Sequence, residues 1–484
     1  MRLHPTLGGN GDAAGWTLLV VGLSLAIAVS SARPYAGGWN DGSRLATVEC
    51  LVDFHTLAID RSIFVQVPPP EESQPPYPLD EPELLRTGTL DKLWIHGQFY
   101  SDKSPVPAFL LAGAYEAWQW CTNATARQRP GSFCYWMTLA SSGIAYVIAV
   151  TCMYHLGRAL RLRLPLRLAV TASFALATVA LPYVRHVNNH ILLLAVAAAL
   201  FLCLARLAEE MKTGTASIAT LLILGGLVGL GYTIDLGAGP VLLLCTAAVL
   251  AYRCPRPVSF CWFALAALPW LVLHHGVNYM VGGSFTPANA VAEYFDWPGC
   301  PFNAQNMTGS WKHASVLHFL VYAADLLVGK RGFLGHNLPL CVALPALLVL
   351  LRRRRQEWPE LLLTGSWCAG TWLLYAATSN NSSGQCCSIR WFVPLLAPGY
   401  YVMAVFLREY PGLGWVFGIL SSWGGVLAAL MWWQGTWMKH MIPFYWPLQV
   451  AAFLTLAIYW NQRRRSQDRQ SRGSIQRPAP SQAA

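Results

Sequence analysis

Charged side chains are scarce in this 484-residue chain, at 12%, against about a quarter in an ordinary soluble domain. That scarcity, with 55% hydrophobic residues and a mean hydropathy of +0.38, excludes a large water-soluble catalytic domain. The 13 cysteines follow no metal-binding spacing: no pair of Cys-x-x-Cys motifs occurs, and Cys386 and Cys387 are adjacent, which suits neither a zinc centre nor a simple bridge. A nucleotide-binding fingerprint is missing too. Gly225-Gly226 and Gly229-x-Gly231 lie inside an apolar run with no strand before it, so they read as helix-packing glycines. No internal repeat is present. The excess of 34 Lys+Arg over 23 Asp+Glu is, in so apolar a chain, a topology signal before it is a nucleic-acid signal, and no nucleic-acid partner is expected.

What is abundant is apolar sequence in span-sized runs, each crossing needing roughly 20 residues. Twelve runs qualify: Trp16 to Ala32, Phe133 to His155, Leu168 to Tyr183, Ile191 to Leu207, Ile218 to Thr233, Ala238 to Tyr252, Phe260 to His275, Leu338 to Leu351, Leu361 to Thr378, Trp391 to Leu407, Leu413 to Trp433 and Pro443 to Trp460. The expected fold is an all-α polytopic integral membrane protein of about 12 transmembrane helices, with a long first exported loop carrying juxtamembrane helices. Two further apolar pieces, Pro105 to Trp120 and Val316 to Val328, are short and are expected to lie on the membrane. With that assignment every basic cluster falls inside: Arg158 to Arg167, Arg253 with Arg256, Arg352 to Arg355, and Arg463 to Arg465. Were either piece to cross, some of these clusters would be exported, against the positive-inside rule. Domain organisation follows: a cytoplasmic N-terminus (1–15), a transmembrane body (16–460) with exported loops 33–132 and 276–337, and a basic, disordered cytoplasmic tail (461–484). Whether Trp16 to Ala32 is cleaved after its small residues Ser30 and Ala32 stays open.

The exported side can then be searched for chemistry. Arg33 to Gly131 holds 12 of the 23 acidic residues and a Pro-rich linker from Val67 to Pro82. Four polar stretches stand out: Asn40-Asp41-Gly42-Ser43-Arg44, Tyr100-Ser101-Asp102-Lys103-Ser104-Pro105, Arg185-His186-Val187-Asn188-Asn189-His190, and Asn380 to Arg390. A lone loop Asp is usually a solvated turn residue, and a Lys before a membrane helix is usually a snorkelling anchor. Here topology set by unrelated residues brings all four stretches to one face. They supply what a transferase with a lipid-linked donor needs. Cations such as Lys103, Arg390, Arg44 and Arg185 would hold a phosphate at the interface and stabilise the charge that grows on it, and a carboxylate, Asp41, would take the acceptor's proton. Among exported cysteines, Cys121 with Cys134 is the expected pair if a disulfide forms.

These residues resemble the GT-C superfamily of polytopic glycosyltransferases, in particular the bacterial relatives of protein O-mannosyltransferases and of the lipid A aminoarabinose transferase. In that family an acidic motif followed by Arg opens the first exported loop, and an aromatic, acidic-Lys-Pro stretch enters a juxtamembrane helix. Asp41-Gly42-Ser43-Arg44 and Tyr100 to Pro105 look like these motifs, and Asn188-Asn189-His190, Gly329 to Phe333 and Gly384 to Arg390 are similar to further family stretches. The resemblance implies Asp41 as catalytic base and Lys103, with Arg390 and Arg44, as donor-phosphate contacts. It leaves Asp102, His186, His190 and Asn189 as candidate acceptor or metal contacts. The partners it implies are a polyprenyl-phosphate sugar, a lipid, glycan or protein acceptor, and the membrane lipids of the plasma membrane, with the active site exported.

Two departures from the family pattern bear on mechanism. Arg185 to His190 contains no acid where many relatives have one, and Gly42 stands where a second acid is common, so dependence on a divalent metal ion stays open. Asp235 is the nearest alternative acid. Tyr294, Asp296, Trp297 and Trp311, in the loop from Gly276 to His313, suit either sugar stacking or the membrane interface. The competing class is a multi-pass transporter or flippase of an amphiphilic substrate, which would place its binding groups near the bilayer midplane.

Overall fold

A computed structural model describes residues 10–66, 83–303, 306–354, 356–438 and 441–475. Each of the apolar runs is helical. Six helices are long and apolar enough to cross a membrane, or seven if one sharply bent pair counts as a span; twelve spans of that kind are not present among the described residues. Part of the shortfall is length. At 1.5 Å per residue, the 13-residue Leu164–Leu176 reaches only about 20 Å against a hydrocarbon thickness of about 30 Å. Ile218–Ile234 and Ala238–Arg253 are likewise short.

The long helices wrap around Asn189–Glu210, which is buried on nearly every side. The glycines do what their setting implied. A Cβ on Gly225 would lie 2.0 Å from the Phe263 carbonyl oxygen, and one on Gly229 would lie 2.7 Å from that of Ala267. The helices Ile218–Ile234 and Pro257–Gly282 therefore touch backbone to backbone, a contact only small residues permit. Pro130–Ala159 passes through a π-helical turn at Leu139–Gly143.

The bundle has two chemically distinct ends. At one, Arg161 meets Glu209 (3.4 Å), Arg253 meets Glu360 (2.5 Å), Arg408 meets Glu357 (2.7 Å), and Arg463 donates to the Gly412 carbonyl (3.3 Å). At the other, Arg33 N–H bonds the Arg185 carbonyl (3.2 Å), Thr436 bonds that of Pro182 (2.7 Å), and Ser104 meets His274 (3.2 Å). Pro105–Thr122 starts at this second end, beside His274, and returns its Tyr115 against Phe133, 4.6 Å between ring centres. Val316–Val328 also stays there: His313, just before it, bonds the Ala376 carbonyl (2.6 Å), Tyr322 bonds Ser379 (3.0 Å), and Arg331, just after it, donates to the Gly384 carbonyl. The chain then bends by 113° into Leu338–Arg352.

Three features depart from the sequence reading. The first loop carries an antiparallel hairpin, Lys92–Ile95 paired with Gln98–Ser101, so the chain is not purely helical. Leu93 and Ile95 alternate inward around Trp94, and His96 and Gly97, both at positive φ (49° and 83°), form the tight turn. Second, the tail expected to be unfolded from residue 461 continues as helix to Ile475. Arg and Gln are good helix formers, and the preceding span provides the nucleus. Third, Cys121 and Cys134 are free thiols, the first exposed and the second buried. Cys134 points into the loop's own apolar cluster with Val48, Phe64 and Phe133. The Pro-rich linker, Val67 to Pro82, lies outside the described residues.

Candidate active site

The helix Trp39–Asp53, buried from Asn40 to Cys50, carries Asp41 in its first turn, where unpaired backbone N–H groups favour a carboxylate. Gly37 N–H donates to Asp41 Oδ2 at 2.6 Å, and His186 Nδ1 lies 3.6 Å from the same oxygen. Burial raises the Asp41 carboxyl to about 7, against the lowering pull of its backbone bonds, the Trp437 indole and Arg44. His186, buried and near Arg185, is lowered to about 3 and is neutral. A neutral imidazole beside a carboxyl titrating near neutrality leaves Asp41 as the proton acceptor of the pair.

Two residues on, Ser43 bonds Ser101 at 2.6 Å and reaches Asp102 at 3.4 Å, which ties the two sequence motifs together. Lys103 does not project freely: its Nζ sits between Asp102 (2.6 Å) and Asp91 (2.7 Å). Burial raises the Asp102 carboxyl, with Lys103 opposing. Arg44, lowered to about 10 by burial but still protonated, lies within electrostatic reach of Asp102, Asp91, Asp41 and Arg390. Its Nε and Nη1 are buried without a hydrogen-bond partner. A Cβ on Gly42 would come 2.3 Å from Leu84 Cδ2, so this position faces packed side chains and presents no second acid.

Arg390 enters from a loop whose Ser382, Ser383, Gly384 and Ser388 all have positive φ. Its N–H bonds Ser383 Oγ (3.1 Å), and its guanidinium lies 5.4 Å over the Trp437 ring with Nε unpartnered. Arg185 is occupied elsewhere, donating to the carbonyls of Trp432 and Trp433 at the end of Gly414–Gln434. Asn189 spends its amide N–H on the Ile234 carbonyl (3.2 Å), and Asn188 caps the helix start by accepting from His190 N–H (2.8 Å).

A second carboxylate–imidazole pair closes the far side of the cleft. His190 Nδ1 is 3.2 Å from Asp235 Oδ2, and Tyr375, stacked on Trp391 at 4.4 Å, donates to Asp235 Oδ1 (2.7 Å). Burial alone would raise Asp235, but His190, Ala238 N–H and Tyr375 hold it below the ordinary carboxylate range. Asp235 thus stands where the Arg185 to His190 segment lacks an acid.

The four stretches therefore converge, and Asp91, Tyr375, His274 and Trp437 join them unannounced. Asp91 had a local cue in the alternation leading into the hairpin; Trp437 had none. Among the described residues no three metal-binding side chains gather. Asp91 and Asp102 share Lys103, and His186 and His190 face separate carboxylates, so the site as placed does not fit a protein-held divalent ion. Next to Asp102 and Lys103 lies a small, partly open pocket. Tyr100, Ser104, His274 and Asn278 line its polar part, and Leu57, Leu236, Val277 and Val281 its apolar part.

No family model matches the chain, and no curated protein does. Solved structures of similar shape include ArnT from Cupriavidus metallidurans in the apo state (15% identity, TM-score 0.49, 84% of this chain and 63% of that one). The same protein bound to undecaprenyl phosphate is also similar (14%, TM-score 0.48, 87% and 71%). So is the archaeal oligosaccharyltransferase AglB from Archaeoglobus fulgidus in complex with an inhibitory peptide and a dolichol-phosphate (12%, TM-score 0.42, 90% and 56%). The chain spans less than two thirds of the length of the apo ArnT and AglB chains.

Proposed function

We propose that this chain is a polytopic glycosyltransferase that moves a sugar from a polyprenyl-phosphate donor to an acceptor hydroxyl on a lipid, glycan or protein, at the exported face of the plasma membrane. The observation that carries the reading is the pairing, in one buried cleft, of Asp41 with two guanidinium groups that still have unfilled donors. Orphaned buried polar atoms cost about 1–3 kcal/mol each, and a site that keeps several is built for a ligand that completes them.

In the reaction, the acceptor oxygen attacks the anomeric carbon while its proton passes to Asp41. The bond from the anomeric carbon to the phosphate oxygen breaks, and its electron pair leaves with the polyprenyl phosphate. The phosphate gains a negative charge at that moment. Arg44 and Arg390 stabilise this charge where it develops, and Lys103 adds a third cation, held ready by Asp91 and Asp102. The single displacement inverts the anomeric centre. The pocket beside Lys103, lined by both polar and apolar side chains, is consistent with an anionic headgroup at the membrane surface. A transporter would keep its ionisable groups near the bilayer midplane, whereas here they gather at one end of the bundle.

The direct test incubates purified protein with a panel of radiolabelled polyprenyl-phosphate sugars and membrane extracts, pairing turnover with equilibrium binding for Asp41→Asn. The expected pattern is donor binding retained and transfer reduced by roughly 10²- to 10⁴-fold, the share of general base catalysis. Absence of transfer by the wild type with every donor would turn the reading toward transport.

A further inference from the structure

Asp41 has a neighbour that the reaction scheme above leaves idle. Trp437 follows the helix Gly414–Gln434 on a segment pinned to the site end. Cys387 N–H bonds the Thr436 carbonyl (3.0 Å), Thr436 Oγ1 bonds that of Pro182 (2.7 Å), and Met438 N–H bonds that of Gln385 (3.3 Å). The indole reaches Asp41 through space left by two glycines. A Cβ on Gly37 would fall 2.6 Å from Trp437 Cδ1 and 2.8 Å from His186 Cε1 and Nε2. One on Gly38 would fall 3.3 Å from Trp437 Cδ2 and 3.5 Å from Asp41 Oδ1. Indole, imidazole and carboxylate thus share one spot. At that spot the Trp437 Nε1–H and Asp41 Oδ1 are both buried and neither completes a well-formed hydrogen bond, although the indole lies close enough to draw the carboxyl downward. A donor and an acceptor, each costly to leave open, face each other.

We propose that Trp437 is a positioning residue for Asp41: its indole N–H serves Oδ1 as the Gly37 N–H serves Oδ2, and so fixes the carboxylate for the incoming acceptor hydroxyl. The proposal rests on the base role given to Asp41. A neutral aromatic donor suits this task because it orients the carboxylate without adding a charge that would compete with Arg44 and Arg390 for the phosphate. With Arg390 stacked over its ring, Trp437 also links the base to a cation, so both halves of the site share one wall. Besides Trp437, the titratable or charged groups facing Asp41 are Arg44 from its own helix, His186 from the loop before Asn189–Glu210 and Cys134 from Pro130–Ala159.

The test reads Asp41 without needing a sugar. A lipophilic carbodiimide attacks protonated buried carboxyls, so labelling of the Asp41 peptide in the purified full chain, followed by mass spectrometry between pH 5 and 9, reports its protonation. Wild-type labelling should fall as pH rises through about 7. Trp437→Phe keeps the ring and removes the donor, so its midpoint should rise by about one pH unit, a tenfold difference in the protonated fraction above the wild-type midpoint. Gly37→Ala pushes the indole aside without deleting it and should shift labelling the same way. Trp432→Phe, whose indole bonds Ser31 instead (2.8 Å), should not. An unchanged midpoint in Trp437→Phe with a wild-type melting temperature overturns the proposal; if that variant does not fold, an unchanged midpoint in Gly37→Ala overturns it. A shifted midpoint in a protein that transfers no sugar would keep the positioning role and sink only the transferase reading.

Discussion

The titration of Asp41 decides whether burial sets the working pH of this site. Its carboxyl is raised from 3.8 to about 7 because the helix Trp39–Asp53 takes it out of water. At 1.36 kcal/mol per unit, that is a preference for the protonated form on the order of 4 kcal/mol. A general base works only when ionised, so transfer should climb with pH through about 7 and level off above it. At pH 6 the ionised fraction, and with it the rate, should be roughly a tenth of the plateau. The donor, His186 and Arg44 do not blur this limb. A polyprenyl-phosphate sugar is a phosphodiester with no ionisation near neutrality, His186 is neutral above about 3, and Arg44 stays charged below about 10. Initial rates at saturating donor from pH 5 to 9 provide the assay, and Asp41→Asn should flatten the limb at a low rate. A wild-type rate constant from pH 5.5 to 8 would show that Asp41 is ionised throughout, and the desolvation argument would be wrong.

How much of this was legible in the sequence depends on the range of the interaction that fixes each feature. The apolar runs were legible because a bilayer demands length and composition locally, and the basic clusters gather at one end of the helices as the positive-inside reading required. Asp41, Arg44, Asp102 and Lys103 were legible because one motif lies about ten residues past an apolar run and the other directly ahead of one. Their partners were not. Lys103 looks like a free cation until the hairpin brings Asp91 against it, and a hairpin of two four-residue strands is a weak signal inside a long polar loop. Arg185 resembles a phosphate ligand until the end of Gly414–Gln434 offers it two carbonyls. Trp437 reads as one more interfacial aromatic, because nothing near it in sequence names Asp41. Cys121 and Cys134 were the pair to expect if an exported disulfide formed, yet both are free thiols and Cys134 is buried in a cluster with Phe133 and Val48.

Other outcomes follow from the same contacts. Arg390→Ala and Arg44→Ala should each weaken donor use roughly tenfold to hundredfold, the usual value of a charged hydrogen bond of about 1.5–3 kcal/mol, measured as kcat/KM with expression preserved. Lys103→Ala should cost less, since two carboxylates already occupy that ammonium. Glu49, raised by burial from 4.5 to about 7, favours the folded state below pH 4.5, and that contribution is lost as pH rises through about 7. Glu49→Gln should therefore flatten the fall in melting temperature between pH 5 and 8, and an unchanged slope would remove Glu49 as its source. Gly225→Val should abolish stable expression, because its Cβ would overlap the Phe263 carbonyl, whereas Gly226→Val, with open space around it, should be tolerated. Topology can be tested with single cysteines in a cysteine-depleted background. Gln98→Cys, exposed in the hairpin beside the site, should react with an impermeant thiol reagent on intact cells, and Gln356→Cys should not. Gln356 is exposed and follows the arginine run; its carbonyl accepts from Arg253 (2.8 Å), and the neighbouring Glu357 pairs with Arg408, so three basic segments meet around it. Exporting that end would carry all of them across against insertion bias, while Val316–Val328, 13 residues long and anchored at the site end on both sides, has no length with which to force a crossing. Labelling at Gln356 with protection at Gln98 would invert the topology and place Asp41 on the cytoplasmic side.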